Sequence, residues 1–274
     1  MASTAADISV IDTDYTGSPP RRSLPRLRPL RFRRAAVTHS NILTFEAALH
    51  SGFVSTVSTP AGSDRTTRIL NIAVAAVALL ITAPLFLIIA MAIKLSGRGP
   101  VFYKQTRVGI DRRWNRGQSH ADVRVQDLGG RPFTMYKFRT MVITAETDGE
   151  ELWATPRDPR VTPVGRFLRA ARLDELPQLL NVLSGEMNIV GPRPERPTIF
   201  AELRETIPNY HLRQRVMPGI TGWAQVNQSY DTCVDDVRRK VAFDLEYLRT
   251  RGVLRDLSIM ARTLPVMLLC RFGW

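Results

Sequence analysis

The sequence predicts a mainly helical α+β protein, in which an N-terminal re-entrant membrane helix joins a small cytoplasmic globular domain. That domain is expected to carry a short β-hairpin and interfacial amphipathic helices. Three observations carry this expectation. Ile69 to Ile93, ILNIAVAAVALLITAPLFLIIAMAI, is 25 residues without a charge. Two alternating stretches, VFYKQTRV and FTMYKFRTM, flank a polar segment as the strands of a hairpin do. Beyond Arg169 the apolar residues recur at helical spacing with charges between them.

The chain of 274 residues carries a net charge of +13, which implies an anionic partner: nucleic acid, anionic lipid or a phosphorylated substrate. Cys233 and Cys270 are its only cysteines, so a disulfide framework is excluded and a reducing compartment is expected. His39, His50, His120 and His211 have no ligand spacing, so no zinc site is expected.

Residues 1 to 63 lack apolar periodicity and read as a disordered basic tail. Within them Arg21, Arg22, Arg26, Arg28, Arg31, Arg33 and Arg34 form a run without an acidic residue. Anionic headgroups attract such a run at about 1 kcal/mol per basic residue, although a solvated tail has the same composition. A cleavable secretory signal does not fit, because the later apolar run is too long.

Residues 64 to 98 read as the membrane segment. As a straight helix, Ile69 to Ile93 reaches about 37 Å, enough to cross a hydrocarbon core of about 30 Å. Pro84 near its middle removes a helical hydrogen bond. Arg65 and Arg68 precede it, Lys94 and Arg98 follow it, and basic flanks favour the cytoplasmic side. A bent, re-entrant helix puts both flanks there. A single span puts only one there and is the competing reading.

Residues 99 to 274 read as a cytoplasmic catalytic domain with membrane-interface helices. Lys104, Arg107, Lys137 and Arg139 make the hairpin basic, for phosphate or for lipid headgroups. Residues 112 to 129 read as a polar loop, and Pro156, Pro159 and Pro163 break any long helix before Arg169. Thr198 to Glu205 fits a short helix, and MPGITGWAQVNQ is turn-rich, with Trp223 and Gln225 either in a pocket or in the core. Asp235 to Arg251 and Leu254 to Cys270 follow as helices, the second too polar to span and suited to the interface plane.

The chemistry concentrates in RAARLDELPQLLNVLSGEMNIVGPRP, Arg169 to Pro194. Asp174 and Glu175 stand together at an expected helix start, with Arg169 and Arg172 before them and Arg193 between Pro192 and Pro194. One carboxylate can attack phosphorus, a second can hold a metal, and guanidinium groups can neutralise phosphate oxygens. Acidic residues at a helix start are also ordinary dipole partners. Leu176, Leu179, Leu180 and Leu183 carry core-facing periodicity.

In order, SGRGPVFYKQTRVG, MYKFRTM, LDELPQLLNVLSGEMNIVGPRPERP, PGITGWAQVN and RRKVAFDLEYL resemble the bacterial sugar transferase family, the monotopic polyprenyl-phosphate phosphoglycosyl transferases of exopolysaccharide type. The resemblance runs from about Arg65 to the C-terminal end; the tail is outside it, and residues 112 to 129 look like an insertion. It implies transfer of a sugar 1-phosphate from a UDP-sugar to polyprenyl (undecaprenyl) phosphate with release of UMP, starting exopolysaccharide or related glycan assembly. It further implies Mg²⁺, Asp174 as the nucleophile of an aspartyl phosphosugar intermediate, and Glu175 as the metal ligand. Arg169 would bind phosphate, Pro192, Arg193 and Pro194 would shape the nucleotide site, and Lys137 and Arg139 would add phosphate contacts. The helix start would favour phosphate and keep Asp174 ionised.

The implied place is the cytoplasmic face of the bacterial inner membrane, in contact with lipid, as a compact member without a large multi-span N-terminal region. No nucleic acid is expected, and a homo-oligomer is compatible with the sequence. Two other readings stand beside this one: a non-enzymatic membrane adaptor binding anionic lipid or nucleic acid, and a metal-dependent hydrolase of nucleotide sugars.

Overall fold

The computed structural model describes residues 63–112, 129–142, 158–228 and 234–269. The expected disordered tail, and the expected insertion apart from its ends, lie outside the described residues. The described residues form a mainly helical α+β arrangement with one long apolar helix and two small sheets.

Helix α1, Ser63–Leu95, contains the whole uncharged stretch. Pro84 lies inside it, and two residues before it the Thr82 hydroxyl donates back one turn to the Ala78 carbonyl at 2.6 Å. In its most apolar window only 11% of residues are buried, and Leu80, Ile81 and Leu87 are each more than 70% exposed. Its two flanks are the parts that dock. Asn71, fully buried, accepts from the Ile189 amide at 2.5 Å, and Arg68 donates to the carbonyls of Val182 and Leu183. At the other end Ile89 and Ile93 pack with Phe138 and Leu168.

Strands β1, Phe102–Val108, and β2, Pro132–Phe138, pair antiparallel with Tyr103 opposite Lys137. Phe133 and Met135 of β2 are buried on one face, as alternation requires of a half-covered strand, and Phe138 is buried on the other against Ile89 and Ile93 of α1. Helix α2, Pro163–Ala170, is capped by Thr162, whose hydroxyl accepts from the Gly165 amide at 2.9 Å. A 3₁₀ turn, Leu173–Glu175, then leads into α3, Gln178–Ser184, which ends at Gly185 with φ +83°.

Strand β3, Asn188–Val190, runs parallel to β4, Gly219–Thr221. The sequence reading did not anticipate this pair. Backbones meet closely here: a Cβ at Gly219 would lie 2.1 Å from the Gly191 nitrogen, and one at Gly191 would lie 2.3 Å from the Met217 carbonyl. Between these strands come α4, Pro197–Thr206, and a 3₁₀ stretch, Tyr210–Arg215. After them come α5, Trp223–Asn227, α6, Val234–Thr250, and α7, Val253–Leu269. The three expected helices at 198–205, 235–251 and 254–270 thus match α4, α6 and α7 to within two residues.

One expectation needs correction. Leu180 and Leu183 are 42% and 37% exposed, whereas Leu179 is buried, so the leucine stripe of α3 faces the core only in part. The short helix lies on the surface beside α1, and half of its apolar residues look outward. Helix α7 shows a related pattern: Asp256 and Ile259 are buried while Leu254 and Leu264 are 83% and 62% exposed.

Candidate active site

Arg172 adopts a left-handed conformation, φ 54°, which ends the run from α2 and turns the chain into the 3₁₀ segment. Asp174 and Glu175 therefore sit in that turn, ahead of Pro177 and α3, and not in the first turn of an α-helix as the sequence suggests.

Two other elements close on this turn. Lys137 from β2 donates to Glu175 Oε1 at 3.0 Å. Arg193, after β3, grips the same carboxylate with both terminal nitrogens, at 2.5 Å to Oε1 and 3.2 Å to Oε2. What brings Lys137 there is a residue the sequence reading passed over. Asn181 of α3, fully buried, accepts from the Tyr136 amide at 3.0 Å and donates to the Thr134 carbonyl at 2.7 Å. Its amide occupies the free side of β2 and fixes the hairpin to the helix that follows the two acids.

Charges follow from this packing. Burial pushes the Glu175 carboxyl up, but Arg193 and Lys137 together outweigh it and hold the group far below the usual carboxylate range. Burial raises Asp174, and Glu175 beside it raises it further, against the pull of Lys137, Arg193 and Arg169. Asp174 thus stands above its ordinary value, opposite to the expectation from a helix start. Lys137 is lowered by burial despite Glu175. The result is one fully ionised acid locked between two cations and one buried acid next to it, two carboxyls driven apart by their surroundings.

The remaining expected residues fall into two groups. Arg169 lies close enough to act on Asp174 and donates from Nε to the Thr140 hydroxyl at 3.0 Å. The carbonyl of Pro192 accepts from the Gly219 amide at 2.9 Å, and that of Pro194 from Arg107 at 2.9 Å. Arg139 stands apart: its guanidinium donates to the carbonyls of Ile93, Gly97 and Arg98, so it caps the end of α1. Trp223 is buried in the core with the Arg255 guanidinium 3.8 Å from its ring centroid, and Gln225, half-buried, donates to the Ile220 carbonyl.

Behind the Pro192–Pro194 segment lies a second charged cluster that sequence reasoning missed. Glu195 pairs with Lys240 at 3.0 Å, and Arg213 pairs with Asp244 at 2.8 Å, both of the latter essentially without exposure. Burial would raise Glu195, yet Lys240, Arg213 and Arg107 bring it down to about 2. Residues 31 apart form the Arg213–Asp244 pair, and no local spacing signals it.

For Mg²⁺, Glu175 already accepts from Lys137 at Oε1 and from Arg193 at both oxygens, so an ion that takes one or two carboxylates and completes its shell with water and substrate phosphate would share this carboxylate with two cations. Among the described residues no group of three or more metal-ligating side chains exists, so phosphate would have to supply the rest.

The sequence profile of bacterial sugar transferases matches residues 63–270. The chain is 42% identical over 195 residues to the UDP-glucose:undecaprenyl-phosphate glucose-1-phosphate transferase of Escherichia coli, covering 70% of this chain and 38% of that protein. It is 41% identical over 204 residues to the protein of the same description in Caulobacter vibrioides, covering 73% of this chain and 69% of the relative. Against the exopolysaccharide production protein ExoY of Rhizobium meliloti it is 37% identical over 218 residues, 74% of this chain and 86% of the other.

Proposed function

The chain belongs to the bacterial sugar transferase family, and from that premise we propose that it transfers a sugar 1-phosphate from a UDP-sugar to polyprenyl (undecaprenyl) phosphate, as the first step of exopolysaccharide or related glycan assembly. The observation that carries the reading is the pairing of a caged acid with a buried one: Glu175 between Lys137 and Arg193, and Asp174 beside it.

In the first step an Asp174 oxygen attacks the phosphorus that bears the sugar. An Asp–O–P bond forms, the diphosphate bridge breaks, and UMP leaves. In the second step the phosphate oxygen of the lipid attacks the same phosphorus, and Asp174 departs as a carboxylate. One site thus handles two substrates in turn, each displacement easier than a direct exchange. Lys137, Arg193 and Arg169 neutralise the negative charge developing on the phosphoryl oxygens, with Pro192 and Pro194 setting the shape of the nucleotide site. Glu175 would hold Mg²⁺, which when bound supplies further charge neutralisation on the diphosphate.

The membrane part of the proposal is a re-entrant α1 on the cytoplasmic face of the inner membrane. Both flanks of α1 dock on the same globular part, Arg68 and Asn71 at one end and Ile93 at the other, which is what a helix entering and leaving by one face requires. The exposed leucines of α7 suit burial in the same interface.

The test is UMP release from a panel of UDP-sugars by membrane-embedded protein with Mg²⁺, with and without undecaprenyl phosphate. Turnover that needs the lipid supports the transferase. Turnover indifferent to it would make the protein a hydrolase.

A further inference from the structure

We infer that the buried Arg213–Asp244 pair is a positioning device for the nucleotide site, fixing the backbone of Arg193 so that its guanidinium is already aimed at Glu175. The inference rests on the reaction proposed above.

Four consecutive carbonyls of the Pro192–Glu195 strap are each held from another part of the chain. Pro192 accepts from the Gly219 amide at 2.9 Å, and Arg193 from Arg213 Nη2 at 3.0 Å. Pro194 accepts from Arg107 Nη1 at 2.9 Å, and Glu195 from the Val108 amide at 2.9 Å. Two prolines further restrict the strap by fixing φ. The side chain of Arg193 thus leaves a backbone held at four successive carbonyls and meets Glu175 with two bonds.

Among those four donors Arg213 is the fully buried side chain. Its Nε donates to Asp244 Oδ2 at 3.0 Å and its Nη1 to the Tyr210 hydroxyl at 2.7 Å, and its guanidinium lies 5.0 Å from the Tyr210 ring centroid. Stability alone does not explain such a pair, because apolar residues of similar volume commonly serve a core equally well. Placement does explain it: the planar fork binds Asp244, Tyr210 and the Arg193 carbonyl at once, which a lysine cannot do. Small misplacements of a charged clamp cost about 100-fold in rate, so anchoring this carbonyl has a catalytic consequence without Arg213 touching substrate.

The test is a double-mutant cycle on the full-length protein in membranes. Arg213→Met/Asp244→Leu removes the pair while keeping an apolar core, and Tyr210→Phe removes a single bond of Arg213. Each is made alone and with Arg193→Met, and first-turnover UMP release is measured with enzyme in excess. Hydrogen exchange at the Val108 and Gly219 amides, which bond the strap, is followed in parallel. The expected result is faster exchange at those amides and a loss of about 10–100-fold for Arg213→Met/Asp244→Leu, with a smaller loss for Tyr210→Phe. Both losses should vanish when Arg193 is already methionine.

Equal losses with and without Arg193 would overturn the inference, as would wild-type rates in Arg213→Met/Asp244→Leu. If that variant does not fold, the Tyr210→Phe cycle decides by the same criterion. If the wild type releases no UMP from any donor, the proposed reaction falls and strap exchange alone judges the positioning claim: unchanged exchange refutes it.

Discussion

Replacing Lys137 with methionine isolates the electrostatics of the two acids. The ammonium lies 3.0 Å from Glu175 Oε1, a pair worth roughly 5 kcal/mol at an effective dielectric constant of about 20, before desolvation is deducted. Arg193 keeps Glu175 ionised in the variant, so the Glu175 charge next to Asp174 is less compensated. Asp174 is already raised by burial, and Lys137 is the strongest of the groups pulling it back. Its removal moves Asp174 further up. A nucleophile must be deprotonated, so the acid limb of the rate profile moves to higher pH. Loss of one preorganised positive group at the transferring phosphoryl costs a further factor of about 10²–10³. The assay is the first-turnover UMP burst without lipid acceptor between pH 5 and 9, which leaves the acceptor phosphate out of the profile. An acid limb in its wild-type place, with a rate within threefold of wild type, would refute the reasoning.

Three further outcomes follow from individual contacts. Asn181→Ala strands the Tyr136 amide and the Thr134 carbonyl and should cost about 2–5 kcal/mol in chemical unfolding; a loss below about 1 kcal/mol contradicts the role given to it. Arg139→Met should lower unfolding stability by about 2–4 kcal/mol while leaving the KM for UDP-sugar within twofold. A tenfold rise in KM would return Arg139 to the phosphate site. Glu195 is depressed from 4.5 to about 2, so its ionised form stabilises the fold by about 3 kcal/mol above pH 4.5. That contribution fades as pH falls toward 2, and Glu195→Gln should lose it at pH 7 and differ little from wild type near pH 2.

The parts legible in the sequence are those set by local pattern. An uncharged run of 25 residues leaves little but an apolar helix, and α1 contains all of it. Alternation exposed the hairpin, and helical spacing exposed α6 and α7 to within a residue or two. The short motifs pointed to Asp174, Glu175 and Arg193, and those side chains do converge with Lys137.

What escaped depends on distant partners. Strands β3 and β4 are three residues each, and they pair because glycines 28 positions apart let two backbones touch. Arg68 and Arg139 read as membrane-flanking or phosphate-binding charge, yet each caps carbonyls at a helix end chosen by tertiary packing. The position of Asp174 in a 3₁₀ turn hinges on the left-handed Arg172, a conformation for which an arginine carries no signal. Arg213 and Asp244 look like surface charges of two polar segments until the fold buries both.

The central claim is that Asp174 becomes covalently phosphorylated by the donor. The most direct measurement is the intact mass of the protein, in lipid nanodiscs with Mg²⁺, after mixing with UDP-sugar in the absence of polyprenyl phosphate. The wild type should gain the mass of one sugar phosphate, mapped to the peptide containing Asp174, and lose it when the lipid acceptor is added. Asp174→Asn should gain nothing while remaining folded and membrane-bound. An adduct that survives in Asp174→Asn, or full lipid-dependent UMP release by that variant, would contradict the account.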